Sequence, residues 1–267
     1  MAQMLPHEYP VVLGRDAAGV VEAVGSGVDH VEVGDEVLGH VLAAPPIQAG
    51  TLAEYALLPA AAVTRKPAEL DFVTAAALPL AGAAVAQAVE AVDPHPGQTV
   101  LVNGASGGVG SYAIQLLAAR GATVLATGTS NDTDRLRGLG ATTVIDHTAG
   151  PVANQVRAAY PDGVDALINL AGFTPTDVPA AAVRQGGKIA TTTATPAEET
   201  LAAADLTSSF IMAGPLREIV APLADQAAAG DLKVNIATVL PLEQATDGLG
   251  TLASGQAKGK IVVTLEN

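Results

Sequence analysis

The stretch TVLVNGASGGVGSYAIQLLAARGA, residues Thr99–Ala122, has the pattern of a strand, a glycine-rich turn and a helix. Thr99–Val102 is a short apolar run rich in β-branched residues, which is typical of a buried strand. From Ser111 the apolar residues follow the period of a helix, and Gly121 stands where a helix would end. In this context the glycines favour a phosphate-binding loop, because they let the backbone approach a diphosphate and the first helical N–H groups face it. The alternative is an ordinary strand-to-helix turn, in which glycine is needed only for a positive φ.

Composition limits the classes of partner. The chain has 267 residues, with 13 Lys and Arg against 27 Asp and Glu, and its formal net charge is −14. This acidic balance argues against nucleic acid and against an anionic membrane surface, because both require a cationic footprint on the protein. The absence of cysteine excludes disulfides, cysteine nucleophiles and thiolate zinc sites.

Neither secretion nor membrane insertion is predicted. Glu8 interrupts the start of the chain, and no basic segment leads into an apolar one as it does in a signal peptide. The uncharged run between Asp71 and Glu90 approaches the length of a membrane span, but Pro79 and Gly82 interrupt it. A pair of buried helices is the better interpretation, and we expect a cytoplasmic protein.

The order of patterns along the chain predicts two kinds of structure. Residues 1–70 carry short strand-like runs bounded by glycine and proline, among them Thr51–Pro59, and these runs favour a small β-barrel. After about residue 73 strand and helix patterns alternate, which predicts an α/β fold with a doubly wound parallel sheet. In this region we predict a helix at Asp177–Arg184 and a sixth strand at Ser208–Met212, followed by a helix at Leu216–Ala229.

Seven blocks of sequence fall in an order that resembles a known family. They are LGRDAAGVVEAVG (13–25), VGDEVLG (33–39), GTLAEYALLP (50–59), AALPLAG (76–82), NGASGGVG (103–110), LGATTVID (139–146) and GKIVVTL (259–265). In this order the chain resembles the medium-chain dehydrogenase/reductase superfamily, and specifically its zinc-free quinone oxidoreductase branch. The resemblance runs through nearly the whole chain.

The resemblance implies a Rossmann doubly wound parallel sheet inserted in a partial GroES-like β-domain. The catalytic domain would comprise residues 1–87 and 214–267, and the dinucleotide-binding domain residues 88–213. The family further implies NADPH in the cleft and a homodimer paired through the last Rossmann strand, at about 207–212. The implied activity is hydride transfer to a quinone or an α,β-unsaturated carbonyl compound. An enoyl-thioester reductase acting on polyketide-like or acyl substrates is the alternative within the enzyme class.

Two departures from the family pattern bear on activity. Family members usually begin several dozen residues earlier, and that segment usually supplies polar residues beside the nicotinamide. Ala84 also stands where the family often has threonine. A function of another class therefore stays open, in which a truncated protein binds NADPH without turnover and serves a structural or partner-sensing role.

The resemblance places the cofactor diphosphate on the glycine-rich turn, where the backbone N–H groups of Ser106–Val109 would donate hydrogen bonds to it. The turn comprises Gly104, Ala105, Ser106, Gly107, Gly108, Val109 and Gly110. Its glycines have the spacing GxxGxxG rather than the strict GxGxxG of many dinucleotide-binding proteins.

The residues after the second strand of this region bear on the choice between NADPH and NADH. Gly128 stands where an NAD-preferring site places an acid for the ribose hydroxyls, so a 2′-phosphate would meet no repulsion there. Ser130 and Asn131 can donate hydrogen bonds to that phosphate, and Arg135 can add positive charge unless it lies on a solvated helix face. Asp132 and its neighbour Asp134 oppose this, unless they serve the first turn of a helix. We therefore expect NADPH rather than NADH.

Five further positions complete the predicted cofactor site. His147 lies where relatives often carry tyrosine beside the adenosine phosphate, although a surface histidine is an equal alternative. Leu170 and Ala171 end the fourth strand and Thr191 ends the fifth, at the carboxyl edge where ligands bind in such sheets. The family places Lys260 near the cleft, although a single lysine is more often solvated.

No metal is expected, and no catalytic residue is assigned. The related alcohol dehydrogenases use a His–Glu pair where this chain has Arg15 and Asp16, which we expect to form a structural pair at a strand start. The five histidines show no close paired spacing. Tyr55 and His40 are the titratable candidates for a proton donor in the β-rich region, and Tyr55 is expected to pack within a strand.

Overall fold

The computed structural model describes Pro6, Glu8–Leu42, 47–214 and 217–265. The chain divides into two compact units. One unit is continuous, Ala84–Met212, and we call it the inserted unit. The other comprises the segments before and after it, Met1–Ala83 and Ala213–Asn267, and we call it the outer unit.

The first segment of the outer unit forms a three-stranded antiparallel sheet followed by two helices. The strands are β1 (Asp16–Val20), β2 (Glu36–His40) and β3 (Val63–Arg65), and the helices are α1 (Phe72–Ala76) and α2 (Pro79–Val92), of which α2 continues past residue 83. The helices occupy the uncharged stretch in which a helix pair is predicted. Asp71 begins α1 by accepting a hydrogen bond from the Thr74 N–H (2.7 Å), and Pro79 is the first residue of α2, where its missing N–H costs nothing. Across the described ranges, the helices are all too short or too polar to cross a bilayer.

The strand predicted at Thr51–Pro59 is wrong. Its first residues form bends, Tyr55 is 74% exposed rather than packed, and Leu57 is exposed as well. Isolated hydrogen bonds join this stretch to the chain near residue 13, such as Leu52 N–H to Leu13 O at 2.8 Å, and they do not form a ladder. An alternating pattern becomes a strand only where a neighbouring strand pairs with it.

The inserted unit is a six-stranded parallel sheet with the strand order β6-β5-β4-β7-β8-β9. In chain order its elements are β4 (Thr99–Asn103), α3 (Gly108–Ala119), β5 (Thr123–Gly128), α4 (Thr133–Gly138), β6 (Thr143–Asp146), α5 (Val152–Ala159), β7 (Val164–Asn169), β8 (Val183–Thr191), α6 (Glu198–Ala203) and β9 (Thr207–Phe210). This order is that of a doubly wound dinucleotide-binding sheet, and it confirms the predicted fold class. The central strands are fully buried, as Leu101, Leu125 and Leu167 illustrate, which is why they appear in the sequence as continuous apolar runs.

The helix predicted at Asp177–Arg184 is wrong. Two short 3₁₀ turns, Pro175–Asp177 and Ala180–Ala182, replace it, and β8 begins directly after the second. The Asp177 carboxylate accepts hydrogen bonds from the N–H groups of Phe173 (3.0 Å) and Thr174 (2.9 Å), which closes the first turn. Val178, which precedes Pro179, has an extended conformation with φ −78° and ψ 119°, as a following proline favours, so the backbone leaves the helical region between the two turns.

The last segment completes the outer unit with two helices and a pair of parallel strands. They are α7 (Arg217–Ala229), β10 (Ile236–Pro241), α8 (Ala245–Ala253) and β11 (Lys260–Thr264). The predicted start of α7 at Leu216 lies outside the described residues, and the rest of that helix is as predicted.

A charged cluster joins the two segments of the outer unit. Asp16 at the start of β1 accepts hydrogen bonds from the Leu80 N–H (2.7 Å) and from Lys260 Nζ (3.2 Å). Arg15 donates instead to the Val41 carbonyl (2.8 Å), so the structural pair predicted between Arg15 and Asp16 is replaced by separate partners. Because Asp16 and Lys260 are both largely buried, removing one would leave the other charge without compensation.

His40 lies opposite Asp16 in the β1–β2 register and is completely buried. Neither ring nitrogen makes a hydrogen bond of normal geometry within the described ranges. Desolvation lowers the pKa of His40 below its usual value. The Asp16 carboxylate and the Gly214 backbone raise the pKa and so oppose that shift. The positive charge of Arg15 lowers the pKa further. The native state therefore favours a neutral imidazole at position 40.

We expect the free energy of unfolding to decrease as the pH falls below about 6.5, the pKa of an ordinary histidine. Below that pH the unfolded chain binds a proton at residue 40 that the native state resists, so acid favours unfolding. The substitution His40→Leu should remove this decrease in the free energy of unfolding. The decrease amounts to about 1.4 kcal/mol for each unit by which the native pKa is lowered. Urea unfolding from about pH 7.5 down to pH 5 measures it.

The matched control is His147→Leu, which removes an exposed histidine from the inserted unit. The contribution assigned to His40 is refuted if the profile of the His40→Leu protein is as steep as that of the unmodified protein.

Candidate functional site

The glycine-rich turn joins β4 to α3 at the carboxyl edge of the parallel sheet. Gly104 has a φ of 82°, which a residue with a side chain rarely adopts. The Gly107 N–H donates to the Gly104 carbonyl (3.3 Å), and Gly107 then serves as the N-cap residue of α3. The chain thus reverses within four residues, and the helix axis begins beside the end of the strand.

The room for a side chain differs among three glycines of this turn. A Cβ at Gly110 would lie 2.4 Å from the Gly104 carbonyl oxygen, and one at Gly104 would lie 3.0 Å from the Ala171 Cβ. At Gly107, by contrast, the nearest heavy atom is 3.5 Å away. Packing therefore requires glycine at Gly104 and Gly110, whereas Gly107 leaves open space at the mouth of the turn, as the approach of a ligand to the backbone requires.

The open space lies against the first turn of α3. N–H groups in a first helical turn have no partner within the helix, and the helix dipole adds partial positive charge there. Ala105 is buried beneath the turn, whereas Ser106, Gly108 and Val109 are half-buried and border its mouth. An anion fits these donors, and the sequence predicts a diphosphate at this place.

Arg135 on α4 extends to the same turn. Its Nη2 donates to the Ser106 carbonyl (3.1 Å) and to the Asp132 carboxylate (3.0 Å). Its Nη1 is buried and has no hydrogen-bond partner in the described part of the chain. Leaving a buried donor on a charged group unpaired is costly, so this nitrogen is placed for an acceptor that the protein itself does not supply. Its position beside the turn excludes the alternative of a freely solvated helix face.

Asp132 does not compete for that place. Its carboxylate accepts from the Thr129 N–H (3.1 Å) and the Thr129 hydroxyl (2.8 Å), so it forms a capping box on the 3₁₀ turn Ser130–Asp132 that precedes α4. The side chain is almost fully buried, and Arg135 compensates its charge. Asp134 is exposed in the first turn of α4, where an acid stabilises the helix dipole.

The end of β5 has no room for an acidic side chain. A Cβ at Gly128 would lie 2.7 Å from the Leu136 Cδ1 and 3.2 Å from the Asp132 Cβ. The acid by which NAD-preferring sites bind the ribose therefore cannot stand at this position without displacing the core. Ser130 and Asn131 follow in an exposed 3₁₀ turn, where both side chains remain accessible to a ligand.

The remaining predicted site residues lie in different surroundings. His147 follows β6 and its side chain is exposed. Its backbone N–H donates to the Gly128 carbonyl (3.2 Å). Leu170 and Ala171 are half-buried against Gly104, at the same sheet edge. Thr191 is fully buried, and its hydroxyl donates to the Ala194 carbonyl (2.9 Å). The roles predicted for them in cofactor binding stay predictions.

Lys260 belongs to the outer unit, where its ammonium group pairs with Asp16. The sequence predicts a cofactor-binding or a solvated lysine at this position, and the pairing with Asp16 is not apparent from it. Its predicted role in cofactor binding likewise stays a prediction. Among the described residues no group of three or more His, Cys, Asp or Glu is arranged to hold a metal ion.

Sequence reasoning overlooks the side chains of Asn103, Thr127 and Asn169. They lie at the ends of three adjacent strands and are joined by hydrogen bonds beneath the glycine-rich turn. The signal is present in the sequence, because each is a polar residue that follows apolar residues at or next to the carboxyl end of its strand. The first-turn N–H groups of α3, which have no partner within the helix, and the Arg135 Nη1, which has none among the described residues, fit the phosphates of a dinucleotide.

Comparison with known proteins places this geometry in a family. Residues 139–263 match the family described as zinc-binding dehydrogenase, and residues 1–68 match the alcohol dehydrogenase GroES-like domain. The mitochondrial NAD(P)H oxidoreductase RTN4IP1 of Homo sapiens is 31% identical over 97% of this chain and 71% of its own length. The chloroplastic NADPH-dependent alkenal/one oxidoreductase of Arabidopsis thaliana is 35% identical over 67% of this chain and 46% of its own length.

A solved structure supports the same relationship. The quinone oxidoreductase from Coxiella burnetii has a TM-score of 0.86 and 28% identity, over 96% of this chain and 80% of its own. Together with the family matches at both ends of the chain, this confirms the Rossmann sheet inserted in a GroES-like β-domain. The chain belongs to the medium-chain dehydrogenase/reductase superfamily, in its zinc-free quinone oxidoreductase-like branch.

Proposed function

We propose that the chain is an NADPH-dependent oxidoreductase that transfers a hydride to a quinone or an α,β-unsaturated carbonyl compound. The observation that carries the proposal is the anion site formed by the glycine-rich turn and the unpaired Arg135 Nη1. The names of the relatives support the substrate class, since they include an NADPH-dependent alkenal/one oxidoreductase and a quinone oxidoreductase. The human relative's name, NAD(P)H oxidoreductase, supports a nicotinamide cofactor without deciding between the two forms.

The residues of the inserted unit would hold the cofactor by its phosphates. The first-turn N–H groups of α3 would donate hydrogen bonds to the diphosphate, and the narrow contact at Gly110 would fix the distance between strand and helix. When bound, NADPH supplies the hydride. The protein contributes by orienting the nicotinamide and by excluding water from the reacting atoms.

The surroundings of Arg135 support the proposed preference for NADPH. A 2′-phosphate bound near Ser130 and Asn131 would find no acid at Gly128 and a guanidinium nitrogen without a partner. Asp132 would not repel it strongly, because its charge is already compensated by hydrogen bonds and by Arg135. An arginine with a planar, fixed set of donors suits phosphate better than a mobile ammonium group does.

We also propose that the chain forms a homodimer through β9. This strand lies at the edge of the six-stranded sheet, so one row of its backbone groups has no neighbouring strand in the part of the chain that the structure describes. Phe210 is 47% exposed, and the nearby Met212 is 67% exposed. An exposed edge strand with apolar side chains favours pairing with a second copy of the same strand.

The proposed activity predicts consumption of NADPH when an acceptor is present. We expect the absorbance of the reduced nicotinamide to fall with 1,4-benzoquinone or with a simple enone such as methyl vinyl ketone. Faster turnover with a crotonyl thioester than with either would identify an enoyl-thioester reductase instead. Binding of NADPH without oxidation by any of the three would favour the non-catalytic role, and no binding at all would exclude both functions.

The cofactor preference predicts a selective effect of Arg135→Gln. We expect the KM for NADPH to rise roughly tenfold, because one charge-assisted contact to the 2′-phosphate is lost, while the KM for NADH changes little. The matched control is Arg137→Gln, on the same helix and exposed, which should leave both values unchanged. Equal increases for the two cofactors would place Arg135 at the shared diphosphate and remove the argument for NADPH.

The proposed dimer predicts that Phe210→Glu gives a monomer. A carboxylate introduced on the edge strand would be buried beside its symmetry mate, and this cost should exceed the pairing energy. Sedimentation velocity of the unmodified and substituted proteins measures the change. Val239→Glu is the control, because Val239 is equally exposed, at 47%, on a strand of the outer unit. An unmodified protein that sediments as a monomer would refute the dimer.

A further inference from the structure

Four neighbouring strands of the inserted unit carry polar side chains at their carboxyl ends. In sheet order they are Thr127 on β5, Asn103 on β4, Asn169 on β7 and Thr191 on β8. Thr127, Asn169 and Thr191 are buried, with exposures of 2%, 0% and 0%. Polar groups buried to this extent are tolerated only when they are hydrogen-bonded, so their partners define what they do.

The side chains form one continuous series of hydrogen bonds across the sheet. The Thr127 hydroxyl donates to Asn103 Oδ1 (3.4 Å), and Asn103 Nδ2 donates to Asn169 Oδ1 (2.8 Å). Asn169 Nδ2 then donates to the hydroxyls of Thr191 (3.2 Å) and Thr193 (3.1 Å). We call these five side chains the polar relay.

The relay ends on the backbone of three loops at the sheet edge. At one end the Thr127 hydroxyl accepts the N–H of Gly104 (2.8 Å), the first residue of the glycine-rich turn. At the other end Thr191 donates to the Ala194 carbonyl (2.9 Å), in the loop after β8, and Thr193 donates to the Ala171 carbonyl (3.5 Å), in the loop after β7. The loops that follow β4, β7 and β8 are therefore joined through side chains as well as through the strands.

The direction of the relay is fixed by its two amides. Each amide has one acceptor oxygen and one donor nitrogen, and here Asn103 and Asn169 use both in the same sense. Because the hydrogen of the Thr127 hydroxyl is directed to Asn103, its lone pair is directed to the Gly104 N–H. An apolar residue in place of either partner would leave a buried donor or acceptor unpaired.

We infer that the polar relay is a set of positioning residues that holds the glycine-rich turn in the conformation that binds the nucleotide. The inference rests on the proposed function, since it gives the turn a cofactor to receive. Without the relay, the Gly104 N–H would turn to water, and the turn would populate other conformations. The apparent Kd would then rise in inverse proportion to the fraction that remains competent to bind. Three of the five relay residues are buried and the other two, Asn103 and Thr193, are half-buried, and we expect the relay to act through the backbone of the turn.

The test compares three substitutions with a control on the same strand. Thr127→Val removes the hydroxyl while keeping the β-branched shape, Asn169→Leu interrupts the middle of the relay, and Thr127→Ser restores the hydroxyl. Thr123→Val makes the same chemical change at the opposite end of β5. Hydrogen exchange of the amides at 104–110 is measured without nucleotide, and NADPH binding is measured by nicotinamide fluorescence.

We expect Thr127→Val and Asn169→Leu to accelerate exchange in the turn and to weaken NADPH binding about tenfold, with the KM for NADPH raised and kcat nearly unchanged. Thr127→Ser should restore both readouts, and Thr123→Val should match the unmodified protein. A general loss of stability would not produce rescue by serine or a change confined to KM. If Thr127→Val does not fold, Asn169→Leu and the serine variant still give the comparison.

Unchanged exchange at 104–110 in the folded Thr127→Val or Asn169→Leu protein would overturn the positioning role. Failure of the unmodified protein to bind NADPH would overturn the proposed function, and the exchange measurement would then decide the role of the relay by itself. The two failures are thus distinguishable.

Discussion

The close approach of α3 to the end of β4 is the constraint on which the inserted unit depends. A single methyl group at Gly110 would stand 2.4 Å from the Gly104 carbonyl oxygen, nearer than any Cβ can lie. This contact sets where the helix begins, and so where its first-turn N–H groups and the positive end of its dipole are located. Because the helix starts there, the open space at Gly107 and the Arg135 nitrogen without a partner among the described residues both lie beside the first-turn N–H groups, where an anion would bind.

Most of the fold could be predicted because the strands of the inserted unit are marked by local patterns in the sequence. A parallel strand buried on both faces needs an apolar run, so β4, β5 and β7 can be recognised in the sequence without knowledge of their partners. Two predictions are wrong for a related reason, namely the strand at Thr51–Pro59 and the helix at Asp177–Arg184. The first has a strand pattern with no ladder to join. In the second, the Asp177 carboxylate closes a turn, and Val178, which precedes a proline, is extended, so no helix spans the stretch.

The site could be predicted only as far as it follows from chain order. Strand ends at one edge of a parallel sheet necessarily meet, which is why the glycine-rich turn and the residues after β5 were expected together. Chain order does not determine which side chains pair when they are far apart in the sequence. Lys260 pairs with Asp16, 244 residues away, and the Thr191 hydroxyl turns inward to Asn169 and Ala194. Each of these depends on which side chains the finished fold brings within about 3 Å.

The polar relay poses an energetic question that bears on its purpose. Each buried polar group left unpaired costs about 1–3 kcal/mol, against a total stability of about 5–15 kcal/mol for a whole domain, so a partly formed relay would be a serious defect. A fully apolar sheet edge would avoid that risk and need not be less stable. Stability alone therefore does not explain polar side chains at this depth. Apolar side chains pack without direction, whereas a hydrogen bond to the Gly104 N–H fixes the orientation of one peptide group. Orientation is what a turn that binds phosphates through its backbone requires, and this requirement accounts for placing the relay beneath it.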